Sequence, residues 1–167
     1  MIAHRHSIRA VLVFALAWVD LPFASAVELT TKPSLTLAVA KVLSVAGETE
    51  AKKNNWNVVI AIVDDGARLV HLVRMDGTQI GSIEVAQDKA TTAISFKRPT
   101  KALEDAVAGG RNAVLGIRGV TPIEGGIPLV VNGQMIGAVG VSGAQSPQDA
   151  QVAQAAAAAL TQFIKAL

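Results

Sequence analysis

The chain contains no cysteine and no tyrosine, and aromatics make up only 4% of it. Without cysteine there are no disulfides, no thiol chemistry and no thiolate zinc site. No lysine- or arginine-rich face with interleaved aromatics is present, which argues against a nucleic-acid surface. There is no G-x-S-x-G elbow for a serine nucleophile. The glycines of the last predicted strand are not followed by Gly-Lys-Ser/Thr, so they do not form a phosphate loop. The apolar run Ala10–Val19 is too short to cross a bilayer as a helix.

That run has another reading. Arg5 and Arg9 precede it without an acid, Pro22 breaks it, and Ala24-Ser25-Ala26 supplies small residues in an A-x-A arrangement. This pattern predicts a cleaved secretory signal over residues 1–26, and so a periplasmic or secreted protein. Removing 26 of 167 residues leaves 141. That is one domain, large enough to bury roughly two-thirds of its unfolded surface. His4 and His6 leave with the signal, so His71 is the one remaining imidazole. A zinc site built on several histidines is thereby excluded. Any chemistry falls to carboxylates, Lys, Arg, Ser and Thr, or to a bound cofactor.

The mature chain, residues 27–167, is organised around a hairpin. Val58–Val63 and Arg68–Arg74 are apolar runs of strand length, joined by the turn Asp64-Asp65-Gly66-Ala67. The first run is apolar on both faces, which places it inside the sheet. In the second, Leu69, His71 and Val73 are expected to share a face. Arg74-Met75-Asp76-Gly77 then forms a charged corner suited to the wall of a pocket.

Helical spacing predicts helices over about Leu35–Lys53, capped by Ser34, and over about Gly81–Phe96. The first has the stripe Leu35, Ala38, Val42, Val45; the second has Ile83, Ala86, Ala90, Ile94. Lys89 lies among the small residues of the second. It either snorkels to solvent or reaches an acidic ligand group or Asp76. Pro99 breaks that helix, and Thr100 is placed to cap a short one over Lys101–Ala108. A short strand is expected over Asn112–Ile117, another over Pro128–Val131, and a last one over Gln134–Ser142 after the Asn132-Gly133 turn. Gly137 and Gly140 within a strand imply close approach of a helix, a neighbouring chain or a ligand. Ser146-Pro147-Gln148-Asp149 opens a final helix with the stripe Val152, Ala156, Ala159, Phe163, Leu167. The whole reads as α+β, a central antiparallel sheet flanked by helices.

Several motifs recur in a fixed order: Val63-Asp64-x-Gly66-x-x-Leu69, Arg74-Met75-Asp76-Gly77, Lys89-Ala90-x-x-Ala93, Pro99-Thr100, Gly125-Gly126-x-Pro128, and Ile136–Gly143 with Asp149. In that series the chain resembles the GlcG/HbpS family over roughly Leu35–Leu167. The resemblance implies a profilin-like α/β sandwich, often oligomeric. It also implies a family in which some exported members bind, sense or degrade haem and signal to membrane partners, while others accompany glycolate use. One departure is Ala67, where the family commonly has a second glycine.

The resemblance makes haem the cofactor to test, with Thr100 as its iron ligand. His71 is the rival: either a half-exposed strand residue or an axial ligand. Arg74, Lys97 and Arg98 are either solvated charges or partners for haem propionates. Asp76 and Lys89 join Arg74 in an alternative, a site for a small organic acid such as glycolate. A third reading is an oligomeric accessory protein without a ligand. No catalytic residue is assigned, and an enzymatic role stays open.

Overall fold

A computed structural model describes residues 28–164; the expected signal segment lies outside them. Residues 28–30 are exposed and irregular. From Thr31 onward the chain forms one body. Its elements are α1 (Leu37–Lys53), β1 (Val59–Asp64), β2 (Leu69–Arg74), α2 (Ser82–Ser95), α3 (Lys101–Ala108), a 3-10 turn (Asn112–Gly116), β3 (Gly126–Val131), β4 (Gln134–Ser142) and α4 (Ser146–Ile164). The four strands form one antiparallel sheet in the order β2-β1-β4-β3.

β1 is interior, as its two apolar faces require. Ile60 and Ile62 join the larger core under α1 and α4, with Leu43, Val139, Val141, Val152 and Ala156. Val59, Ala61 and Val63 face α2 through Ala86, Ala90 and Ala93. Helices therefore cover both faces of the sheet. Each fully buried isoleucine contributes roughly 1.5–3 kcal/mol.

α2 lies close because Gly140 of β4 puts no side chain beneath it. A Cβ added at Gly140 would stand 2.0 Å from Ala86 O and 2.5 Å from Ala90 N. A Cβ at Gly137 would meet Val63 O at 2.3 Å, so there the close neighbour is the adjoining strand. Asn132 and Gly133 both have positive φ, +49° and +78°, as a tight β3–β4 hairpin demands.

Four local expectations are corrected. In α1 the buried face is Ala40, Leu43, Ser44, Gly47 and Ala51, while Val45 is 60% exposed. The helix turns its small residues inward because a Cβ on Gly47 would already crowd Ile60 Cδ1 (2.8 Å). Its cap is Thr36, which accepts from Val39 N, and not Ser34. Asn112–Gly116 is a 3-10 turn and not a strand; only Val114 of it is buried, and it packs on α3. Finally, the register shift between Ile62 and Val63 leaves Val70 as an extra residue. Val70 packs on the larger core, and Leu69, opposite Val63, no longer shares the face of His71 and Val73.

At the start of α4 the cap also moves by one residue. Gln145 N donates to the Gln148 side chain, half of a capping box, and Asp149 is freed to point inward. Of the expected stripe, Val152, Ala156 and Ala159 are buried. The Phe163 side chain and Leu167 lie outside what is described. Among the described residues no helix is long and apolar enough to cross a membrane.

Candidate functional site

The corner after β2 is built by backbone geometry. Met75 N donates to Val58 O, holding the strand end against β1. Thr78 N and Thr78 Oγ1 both donate to Met75 O, at 3.1 and 2.8 Å, closing a turn. Gly77 takes φ +81° in that turn, and Asn57 Nδ2 would lie 3.0 Å from a Cβ there. A residue with a side chain would be strained and crowded at this position.

Beside this turn lies a cavity of about 360 Å³. Val73, Arg74, Met75 and Asp76 form one wall; Glu48 and Lys52 of α1, with Asn57, form the other. Lys52 is paired with Glu48 at 3.3 Å. Arg74 is exposed and has no ion-pair partner among the described residues. It is the cation left to receive an anionic group at this cavity. Asp76, exposed on the same wall, keeps the site from being uniformly basic.

His71 is half-buried on β2, opposite Ile62, and Val73 is opposite Ile60. Directly opposed residues point to one face, so His71 and Val73 share the side of the sheet that carries α1. The imidazole and the cavity are thus two residues apart, roughly 7 Å along the strand.

Lys89 does neither thing expected of it. It is 1% exposed, and its ammonium donates to Asp149 Oδ2 and to Val141 O, both at 2.9 Å. Asp149 Oδ1 accepts from Ala144 N at 3.0 Å. Burial pushes the Asp149 carboxyl above its ordinary range, against the opposing pull of Lys89 and Ala144. Gly125 covers the pair: a Cβ there would lie 3.0 Å from Lys89 Nζ. Lys89 is therefore absent from the Arg74 cavity, and the small-acid site loses one of its three expected residues.

Thr100 is fully buried and makes no cap. Its hydroxyl accepts from Gly126 N at 2.9 Å, and its own N–H donates to Gly126 O at 3.0 Å. This arrangement offers no open oxygen to an iron atom. The expected ligand instead ties the start of α3 to the start of β3.

Lys97 and Arg98 are exposed at the C-terminal end of α2. Lys97 N bonds Ile94 O and Arg98 N bonds Ala93 O, a Schellman closure with Lys97 at φ +52°. Arg98 Nε is turned back on Phe96 O. Arg74 pairs with Val59, which pairs with Ser142, and Ser142 bonds Ser82 at the opposite end of α2. A helix of 14 residues is roughly 20 Å long, so these cations do not converge with Arg74.

Sequence reasoning missed Asp149 as the partner of Lys89, because an acid in a first helical turn already has a local explanation. It also missed Lys52, Glu48 and Asn57. Their one signal was position, at the end of the helix that leads into the hairpin.

A helix-covered, four-stranded antiparallel sheet with a cation-bearing cavity at the end of one edge strand defines a small α+β domain. Residues 35–158 match the family model described as "Haem degrading protein HbpS-like", and the chain belongs to that family. It is 48% identical to Protein GlcG of Escherichia coli K12 over 112 residues, which cover 67% of this chain and 84% of that protein. A crystal structure of a Streptomyces reticuli HbpS double mutant superposes with a TM-score of 0.73 at 33% identity, covering 85% of this chain and 98% of the other. A structure of a PduOC–haem complex superposes with a TM-score of 0.69 at 32% identity, covering 76% and 95%.

Proposed function

We propose that this is an exported haem-binding protein, a haem sensor or scavenger, that holds the cofactor at the β2 face. The observation that supports it is the combination of HbpS-like membership with a haem-bearing neighbour at 32% identity. The residues present fit the group in two respects. His71 presents a half-exposed imidazole as a nitrogen donor, and Arg74 is free to bond a propionate. The cavity, at about 360 Å³, is smaller than a porphyrin with its substituents. Its size suits a propionate group, which Arg74 would hold, with Val73 and Met75 as the apolar residues of the same wall. Bound there, haem supplies a redox-active iron, on which slow haem degradation would draw. The chain's own part is to ligate and orient. A membrane sensor as recipient of the signal belongs to the same reading.

Titration with haemin tests it. The chain should shift and sharpen the Soret band at stoichiometric protein. His71→Ala should abolish the shift, and Arg74→Ala should weaken binding severalfold. A spectrum identical to that of free haemin would end the reading.

The size of the cavity favours one alternative, a small organic acid held by Arg74 with Asn57. Calorimetry with glycolate and related acids decides it, and absence of heat with all of them counts against it.

A further inference from the structure

We propose that a second cavity, at the far end of α1 from Arg74, binds a small neutral amphipathic molecule: an alkyl chain with an uncharged hydroxyl or amide head. The cavity measures about 350 Å³ and lies between the lead into α1, the β3–β4 hairpin and α4. Val39 of α1 lines it, while Glu48 and Lys52 line the Arg74 cavity, roughly 14–20 Å further along the helix.

Its walls are apolar and held in place. Leu35, Ile136 and Leu160 belong to the larger core, and Val39 and Val131 pack against it. Leu35 seats itself over Gly137, where a Cβ would lie 3.0 Å from Leu35 Cδ2. Lys32 is paired with Asp65 of the β1–β2 turn. The lead is thus pinned on both sides of Pro33 and Ser34, which makes it a formed wall.

Two polar groups stand among the apolar ones. Ser34 lines the cavity, and because Thr36 is the helix cap its hydroxyl makes no hydrogen bond among the described residues. The Asn132 side chain, at the hairpin tip with φ +49°, likewise has no partner among them. A hydroxyl and an amide each donate and accept, so together they suit an uncharged hydroxyl or amide. No charged residue lines the cavity among the described residues, so a carboxylate or ammonium would be buried there unpaired, at high cost. An apolar cavity with a few convergent polar groups is the usual form of a small-molecule site. Volume sets the length of the chain. At about 30 Å³ per non-hydrogen atom, the share of a water molecule in the liquid, the space holds roughly ten such atoms, or about eight carbons and a head group.

Methyl NMR titration with 1-octanol tests this. Saturable shifts should fall on Leu35, Val39, Val131, Ile136 and Leu160. 1-Hexanol, shorter by two methylenes, should bind about tenfold more weakly. Octanoate at neutral pH should also bind at least about tenfold more weakly than octanol, since its charge finds no partner. Ser34→Ala and Asn132→Gly, the latter keeping the positive φ, should each weaken octanol binding about three- to tenfold. Val39→Phe fills the space and should abolish binding; Val131→Phe replaces it if the first variant fails to fold. Absence of saturable shifts up to the solubility limit of octanol overturns the proposal. So does octanoate binding as tightly as octanol, or octanol binding that these variants leave unchanged. Residues 165–167 are the rival occupant: octanol shifts that appear only after their removal would assign the cavity to them and overturn the proposal as well.

Discussion

Lys89 and Asp149 are 60 residues apart in the chain and meet at 2.9 Å with almost no solvent access to either. A buried pair of this kind is more informative broken than intact. Removing one partner leaves a charge in a medium that solvates it poorly. Lys89→Met or Asp149→Leu alone should therefore destabilise the fold by about 3–5 kcal/mol. Replacing both, Lys89→Met with Asp149→Leu, should return to within about 1 kcal/mol of wild type or exceed it, since no charge is then stranded. Urea unfolding of all four proteins measures the coupling. Additive losses would show that the two residues do not act as a pair.

The same pair gives stability a pH dependence. Burial raises the Asp149 carboxyl above its ordinary value, so the folded chain keeps this proton where the unfolded chain has released it. The contribution is complete below about pH 3.9, the ordinary aspartate value, and is lost as pH rises through the raised folded value. The wild type should thus lose stability relative to the Lys89→Met/Asp149→Leu double variant across that window and run parallel to it above. Unfolding midpoints at a series of pH values test this. A difference that grows in the wild type's favour with rising pH would mean that Lys89 outweighs burial.

Ala67 closes the β1–β2 turn at φ +60°, a conformation that a Cβ makes unfavourable by roughly 1–2 kcal/mol. Asp64 Oδ1 accepts from Gly66 N and Arg68 N, which holds the turn in that shape regardless of the residue at 67. Ala67→Gly relieves the strain, and part of the gain is offset by the freedom that glycine adds to the unfolded chain. The net expectation is a gain of about 1 kcal/mol, or a rise in melting temperature of about 3 °C. Calorimetry checks it. A lower midpoint would mean that the methyl group packs well enough to outweigh the strain.

What the sequence reveals and what it hides divide along physical lines. β1 was legible because a strand covered on both faces must be apolar on both, and Val58–Val63 is. The Asn132-Gly133 turn was legible because its geometry demands positive φ at both residues, and few residue types tolerate that. The α1 stripe was misread because its contact face has one large residue, Leu43, among the small Ala40, Ser44, Gly47 and Ala51, and so carries little hydrophobic signal. Periodicity instead picked out Val45, which is exposed. The His71–Leu69 face failed at a bulge, where one extra residue inverts the alternation. Of the candidate site, Arg74 and Asp76 do line a cavity. Lys89 and Thr100 were found as positions but not as roles, because their partners, Asp149 and Gly126, are distant in the chain.

Thr100 separates these two kinds of role. As an iron ligand it would be needed for haem and matter little to the fold. The geometry gives the opposite weighting: its hydroxyl is the partner of Gly126 N, in a region without solvent to replace it. Thr100→Val keeps the shape and strands that N–H, which should destabilise the protein by about 1–3 kcal/mol. Thr100→Ser keeps the oxygen and should recover most of the loss. Neither variant should alter the Soret band of a folded, haemin-loaded sample, whereas His71→Ala should. Denaturant unfolding and a haemin titration on the three variants read out both quantities. Loss of the band in Thr100→Val at unchanged stability would restore Thr100 as the ligand and require the Thr100–Gly126 contact to open on binding.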